Sequence, residues 1–414
     1  MEDSDNSQLI VNPAHNILQL VNTPRRMQLP SDSEKPAPKK QRISNVDLYR
    51  NSTQYGIWSF THEELARAKS NANQLGVKAA KERFQKAYDK AKSDNPDAFA
   101  KFPNDLNEEM ISLLNLEEET TYLEFYIQNI TTTCNFFKMP TQVRLTAASF
   151  FKKFYLANSV MHYHPKNILY TCIFLAAKSE NYFISIESYV KALKGVQTLD
   201  ILGLEFIVLQ SLKFTLLVHH PFRPLHGFFL DFQAVLLHPS PAMYDVSADT
   251  IGNLYNKAKE WLNKYYMFSD VAFLFTPPQI ALAAMYDCDR RITDRYLKRK
   301  FLKDDNEDEN VGDQKDAQEE KKQDDVETQD TESVVDAKLG AETEAENGSL
   351  SKHMHKREQY ESLVRTIRKC AKLAKNLPVA DREKSKEIDK KCFFALNPKK
   401  LIDKRIKRIT SATT

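Results

Sequence analysis

Apolar residues recur at helical spacing along most of the chain after Tyr49, and the breaks between these stretches mark out the elements. Trp58-Ser-Phe-Thr61-His-Glu-Glu64-Leu65 is a helix start: Thr61 can cap, Glu64 can close a capping box, and Phe60 can staple against Leu65. The helix that follows is rich in Ala and Lys and weakly apolar, which predicts a position on the surface. From Leu113 to Phe137 the positions Leu116, Tyr122, Leu123, Phe125, Tyr126 and Ile130 give another helix; Met139-Pro140 ends it, and Val143 to Tyr155 forms the next. His164-Pro165 opens a third, with proline at the tolerated first position. It is apolar on every face from Ile168 to Ala177 before reaching Lys178, so it belongs in the middle of a bundle. Ser185 can cap a short fourth helix ending near Gly195, and a fifth runs from Thr198 to about Phe214. One buried helix among five, within about a hundred residues, is an all-α unit.

The design recurs. Thr276-Pro277-Pro-Gln279 opens another small-residue-rich apolar helix, 112 positions after Pro165, preceded by a helix from Ser247 to Phe268 and followed much later by one from Tyr360 to Asn376. The pattern predicts two helical domains of similar plan, the second interrupted.

Charge explains the interruption. Between Asp304 and Glu346 there are 18 acidic and 4 basic residues and no aromatic one, a stretch that cannot bury enough apolar surface to order itself. From Ser351 onward the balance reverses to 19 basic against 7 acidic. Residues 1–45 hold five of the 17 prolines and are expected to form a flexible tail. The expected layout is therefore a tail at 1–45, an N-terminal helix and linker at 46–110, a first fold at 111–219, a second at 220–376 broken by a disordered insertion at 304–350, and a C-terminal helix with basic tail at 377–414.

Composition removes several functions. The nine glycines are never closer than eight positions, which excludes the common glycine-rich phosphate loops and leaves no nucleotide cofactor to expect. The five cysteines (Cys134, Cys172, Cys288, Cys370, Cys392) include no C-x-x-C pair, so they read as reduced buried thiols, not zinc ligands. His162 with His164, and His219 with His220, are spaced i,i+2 or adjacent and do not converge on one ion; they read as loop or capping residues, with no metal. No nucleophile sits on a glycine-flanked elbow, and no enzyme is expected. A polar, acidic start and no apolar run of about 18 residues predict a soluble intracellular protein without signal peptide or membrane span.

Two charges stand among apolar neighbours: Lys178 after Phe174-Leu-Ala-Ala, and Glu205 inside Leu202-Gly-Leu-Glu-Phe-Ile-Val-Leu209. Spacing alone favours an internal salt bridge or an exposed helix edge over a binding role.

Phe151-Lys-Lys-Phe-Tyr-Leu-Ala-Asn-Ser-Val160, Tyr163-His-Pro165, Phe174-Leu-Ala-Ala-Lys178 and Leu204-Glu-Phe-Ile-Val-Leu-Gln-Ser-Leu-Lys-Phe214 resemble a cyclin box, and more narrowly that of cyclin H of the fungal type. His220-Pro-Phe-Arg-Pro224, Phe275-Thr-Pro-Pro-Gln-Ile280 and the Trp58–Asn73 helix are similar too; the resemblance spans residues 49 to about 300 and, more weakly, 355 to 400. It implies two consecutive five-helix cyclin folds with flanking N- and C-terminal helices, and a nuclear, non-catalytic subunit that activates a cyclin-dependent kinase. More narrowly, it implies the kinase module of transcription factor II H, acting on RNA polymerase II, with a third assembly subunit and the factor's core as further partners. In cyclins the lysine ending the third helix and the glutamate of the fifth grip the kinase's C helix, which assigns that role to Lys178 and Glu205 and reverses the preference drawn from spacing. Leu175, Phe214 and Leu216 fall where cyclins place apolar contacts to the same helix.

One departure is that Lys152 stands where many cell-cycle cyclins carry an aspartate bridged to an arginine, so that bridge is not expected here; the acidic insertion is another. The alternatives are a cyclin C-, K- or T-like subunit of another transcriptional kinase, against which the Trp58 helix argues, and a transcription-factor-II-B-like promoter-binding protein. The latter would want an N-terminal zinc ribbon that the cysteine spacing denies, and the nearby acid argues against strong nucleic-acid binding. In the tail, Thr23-Pro-Arg-Arg26 fits the pattern proline-directed kinases accept and marks Thr23 as a candidate phosphorylation site.

Overall fold

The computed structural model describes residues 49–237, 246–302, 344–377 and 382–412, and among them every regular element is helical. Helices α1 (Thr53–Trp58) and α2 (His62–Asp94) come first. The capping box at the start of α2 forms: Thr61 Oγ1 accepts the Glu64 N–H at 3.2 Å, and the Glu64 carboxylate accepts the Thr61 N–H at 2.8 Å. It lies on the surface, as its weak apolar pattern suggested, with most of its residues at least partly exposed, yet it packs closely on the helices beneath. It buries Leu65, Asn73 and Phe84 together with Ala72, Gly76, Ala80 and Ala91, the last four small enough to let its backbone come close to the rest of the molecule. The short α3 (Pro96–Lys101) leads into the first five-helix unit.

That unit consists of α4 (Leu116–Phe136), α5 (Thr141–Ala157), α6 (Pro165–Ser179), α7 (Ile186–Ala192) and α8 (Thr198–Ser211). Helix α6 occupies the centre, with α4, α5 and α8 packed on it and every residue from Thr171 to Ala177 buried. Pro165 is its first residue, and His164 caps it, Nδ1 accepting the Lys166 N–H at 3.2 Å.

The second unit repeats the plan with α9 (Phe222–Leu236), α10 (Ala248–Trp261), the one-turn α11 (Val271–Leu274), α12 (Pro277–Cys288), α13 (Arg290–Leu302) and α14 (Glu344–Lys375). Here α12 is central, buried from Ile280 to Tyr286 among α9, α10, α13 and α14. The expected single helix to Phe268 ends as a helix at Trp261 and continues as one wider turn, Leu262–Tyr266. Helix α14 reaches back to Glu344, inside the stretch expected to lack order; the rest of the acidic insertion and the N-terminal tail lie outside the described residues. The expected C-terminal helix is two, α15 (Arg382–Leu396) and α16 (Pro398–Ala412), because Pro398 cannot continue the helix before it and instead starts a new one.

Both flanking regions lock onto the loop 158–163 between α5 and α6. Gly76 of α2 approaches so closely that a Cβ there would lie 2.3 Å from Ser159 Cβ. The buried Glu119 of α4 accepts the Val160 N–H at 2.7 Å and the Asn73 amide at 2.6 Å. From α2, Arg83 donates to the Met161 carbonyl and, at 2.9 Å, to that of Ala395 in α15; Cys392 Sγ donates to the Val160 carbonyl at 3.4 Å. Helix α16 then seats Ile402 on α2 beside Phe84 and Ala91. At the other end of α2's approach, Trp58 Nε1 donates to Thr215 Oγ1 at 2.8 Å, Gln54 pairs with the His219 backbone, and the Phe60 N–H bonds the Phe273 carbonyl at 2.8 Å. Residues 54–60 thereby tie the end of the first unit to the second.

Candidate docking face

The C-terminal ends of α6 and α8 lie side by side. Helix α6 stops because Asn181 takes a left-handed conformation (φ 56°), returning the Tyr182 N–H to the Ala177 carbonyl at 2.8 Å. Helix α8 stops with two successive left-handed residues, Lys213 (φ 52°) and Phe214 (φ 56°), a conformation costly for side chains with a Cβ. That turn throws the Phe214 ring outward: it is 62% exposed and lies 6.1 Å from the Phe206 ring. Ser179 Oγ reaches the Leu216 carbonyl at 3.4 Å, stitching the two helix ends together.

On this ridge Lys178 Nζ meets Glu205 Oε1 at 2.6 Å. Lys178 is half exposed, Glu205 one-fifth, and the lysine also sits over the Phe174 ring, 4.5 Å from its centre. The two charges therefore satisfy each other at the surface. This is the internal salt bridge at a helix edge that spacing alone favours. The pair still has unused capacity: an ammonium carries three donors, and the second carboxylate oxygen is free to accept. Leu175 is buried at 3%, supporting the ridge from below, while Leu216 is half-buried. Around the pair lie Leu202, Phe206, Phe214 and Leu217, all exposed, with Phe183 and Leu199 exposed on the neighbouring turns. So many large apolar side chains left in water make this ridge a candidate docking surface.

Sequence reasoning named Lys178, Glu205, Leu175, Phe214 and Leu216, which the structure gathers here, and missed Phe183, Leu199, Leu202, Phe206 and Leu217. A signal existed: α8 is apolar on all sides, yet only Ile201 and Val208 of it are fully buried, so its other faces need cover from outside. Thr23 lies outside the described residues.

Where the two units meet, Lys152 donates to the Ser269 carbonyl at 2.5 Å and shares a four-charge cluster with Asp270, Lys69 and Glu124; Lys69 and Asp270 pair at 2.5 Å. Burial lowers Lys152 to about 8 and raises Glu124 to about 7. Burial also pushes Asp270 up, but Lys152 and Lys69 outweigh it and its net shift is down. The lysine thus serves the contact between the two units, not the bridge known from other boxes. Among the histidines, His220 is driven down to about 3 by burial and bonds Thr146 Oγ1 at 2.8 Å. Among the described residues no group of three His, Cys, Asp or Glu side chains could hold a metal, and no helix is long and apolar enough to cross a membrane. All five cysteines are free thiols, four of them buried.

Residues 107–217 match the family described as cyclin, N-terminal domain, and residues 220–375 match cyclin C-terminal domain. Cyclin CCL1 of Saccharomyces cerevisiae is 37% identical over 278 residues, covering 66% of this chain and 65% of its own length, just under two thirds. A putative cyclin-H of Dictyostelium discoideum is 30% identical, covering 57% of this chain and 74% of its own. Among solved structures, the yeast TFIIK (Kin28/Ccl1/Tfb3) complex contains a chain similar to this one with a TM-score of 0.52 and 29% identity, over 79% of this chain and 100% of that one.

Proposed function

The chain belongs to the cyclin family, in its cyclin-H group, and from that premise we propose that it binds and activates a cyclin-dependent kinase of the transcriptional type. The kinase would be that of transcription factor II H, phosphorylating the C-terminal domain of RNA polymerase II in the nucleus. The observation that carries this reading is the exposed apolar ridge centred on the Lys178–Glu205 pair. Leu202, Phe206, Phe214 and Leu217 supply area for a helix to bury, and the ion pair presents one donor-rich and one acceptor-rich group to that helix's backbone. Pressing the kinase's C helix inward completes the partner's Lys–Glu pair and magnesium geometry; every catalytic group belongs to the kinase. The chain acts as a regulatory subunit. The related yeast complex is named for three components, which supports a third assembly subunit for this chain as well. Attachment to the core of transcription factor II H extends the same reading.

Binding of purified kinase to the Lys178→Ala and Glu205→Ala variants tests it. Each should weaken affinity more than about 30-fold, since stripping one partner from a docked charge pair costs on the order of 2–5 kcal/mol. Melting of the free chain should hardly move, because the pair lies at the solvent edge. Unchanged kinase affinity in both would refute the assignment of the ridge.

A further inference from the structure

Helix α16 has two faces of opposite character. Its inner side, Leu401, Ile402, Ile406 and Ile409, rests in the satellite core formed with Phe84, Tyr88, Ala91 and Leu106. Its outer side carries Lys400, Lys404 and Lys407, spaced i, i+4 and i+7, so they stand in one row. All three are exposed, and none is in an ion pair among the described residues. Two of them lie over aromatic rings, Lys400 over Phe393 at 5.2 Å and Lys404 over Phe394 at 5.7 Å. On the same helix Arg405 turns aside to Asp105, and Asp403 is the one acid. A fixed row of like charges on a helix that is itself held in place is a surface for a polyanion.

We propose that the occupant is the chain's own acidic segment, residues 304–343. It holds 16 acidic and 4 basic residues and no aromatic one, so it complements the row by charge and brings no apolar core of its own. It leaves the described structure after Leu302 and rejoins it at Glu344. At about 3.3–3.6 Å per extended residue, even half of it reaches more than about 60 Å, further than the radius of a domain this size. Tethering raises its local concentration to the order of millimolar, which lets weak, multiple charge contacts hold it on the row ahead of any untethered competitor. The contact also covers the basic helix against phosphate polymers, which would otherwise collect on it.

The test uses the full chain with residues 304–343 replaced by a Gly/Ser linker of equal length, titrated with a fluorescent synthetic peptide of those residues. The peptide should bind at 50 mM KCl, at least tenfold more weakly at 300 mM, and at least tenfold more weakly to the linker variant that also carries K400E/K404E/K407E. The unaltered chain, its row already filled, should take up the peptide at least tenfold less well. A Lys→Gln triple variant, which keeps helix propensity, should give an intermediate loss if the Glu triple variant fails to fold. Absence of binding at 50 mM, or binding indifferent to these substitutions, overturns the proposal. So does a 30-base-pair DNA duplex that binds the unaltered and linker chains equally, since the row would then be an open nucleic-acid site.

Discussion

Lys153 is 2% exposed, and its ammonium has no hydrogen-bond partner; the Trp58 ring lies 5.2 Å from Nζ. Burial lowers its pKa to about 8 from 10.5. Below pH 8 both folded and unfolded chains are protonated, and the fold bears the whole penalty, on the order of 3 kcal/mol before the indole's attraction is counted. Between pH 8 and 10.5 the unfolded chain holds the proton longer, so stability rises with pH. Lys153→Met should therefore raise the urea midpoint at pH 7.5, and its advantage should shrink by pH 10; an advantage constant with pH would show that the ammonium is not the cost. Glu124 shifts in the opposite sense for an acid, raised to about 7 by burial. The stability linked to its protonated form is complete below about pH 4.5 and is lost as pH rises through 7. Glu124→Gln should flatten that decline, which denaturation curves at pH 5 and pH 7.5 would record.

Two glycines on two helices predict opposite outcomes for the same substitution. In α2, Gly76→Ala gains helix propensity of about 1 kcal/mol but drives a methyl into Ser159, with atoms at 2.2 and 2.3 Å. A net loss of about 1–3 kcal/mol should follow, partly recovered by adding Ser159→Gly. In α9, Gly227 has nothing within 4 Å of the added Cβ, and Gly227→Ala should stabilise by up to about 1 kcal/mol. Thermal melting of the three variants checks both signs. The contrast also shows what the sequence discloses. Helices α6 and α12 were legible because proline starts and all-round apolar runs have one physical solution, the centre of a bundle. The role of α2 was hidden because alanine and glycine score as weakly apolar exactly where they permit the closest approach. The loop 158–163 was hidden because Arg83, Glu119 and Cys392 meet there from distant parts of the chain, a convergence no local pattern records. At the docking face, five residues followed from family resemblance, whereas Phe206 and Leu217 needed the exposure of α8's outer side.

At the scale of the whole molecule, the ridge belongs to the first unit and the acidic segment leaves and returns through the second. Replacing residues 304–343 by a Gly/Ser linker should therefore leave kinase stimulation within about twofold of the unaltered chain. A collapse of phosphorylation in a reconstituted assay would show that the segment takes part in activation. The loop 158–163 carries a different consequence, for synthesis. Its Val160 carbonyl waits for Cys392, 232 positions later, and Arg83 waits for the Ala395 carbonyl, 312 positions later. At roughly 5–20 residues per second, a ribosome needs about 10–50 s to deliver Cys392 after Val160. Throughout that interval the nascent first unit stands with α2 half-clasped and the seat for α15 and α16 bare. A premature stop codon ahead of Cys392 would remove more than a tail. It would release a chain whose earliest-made domain never closes, and cellular quality control would be expected to remove the whole of it.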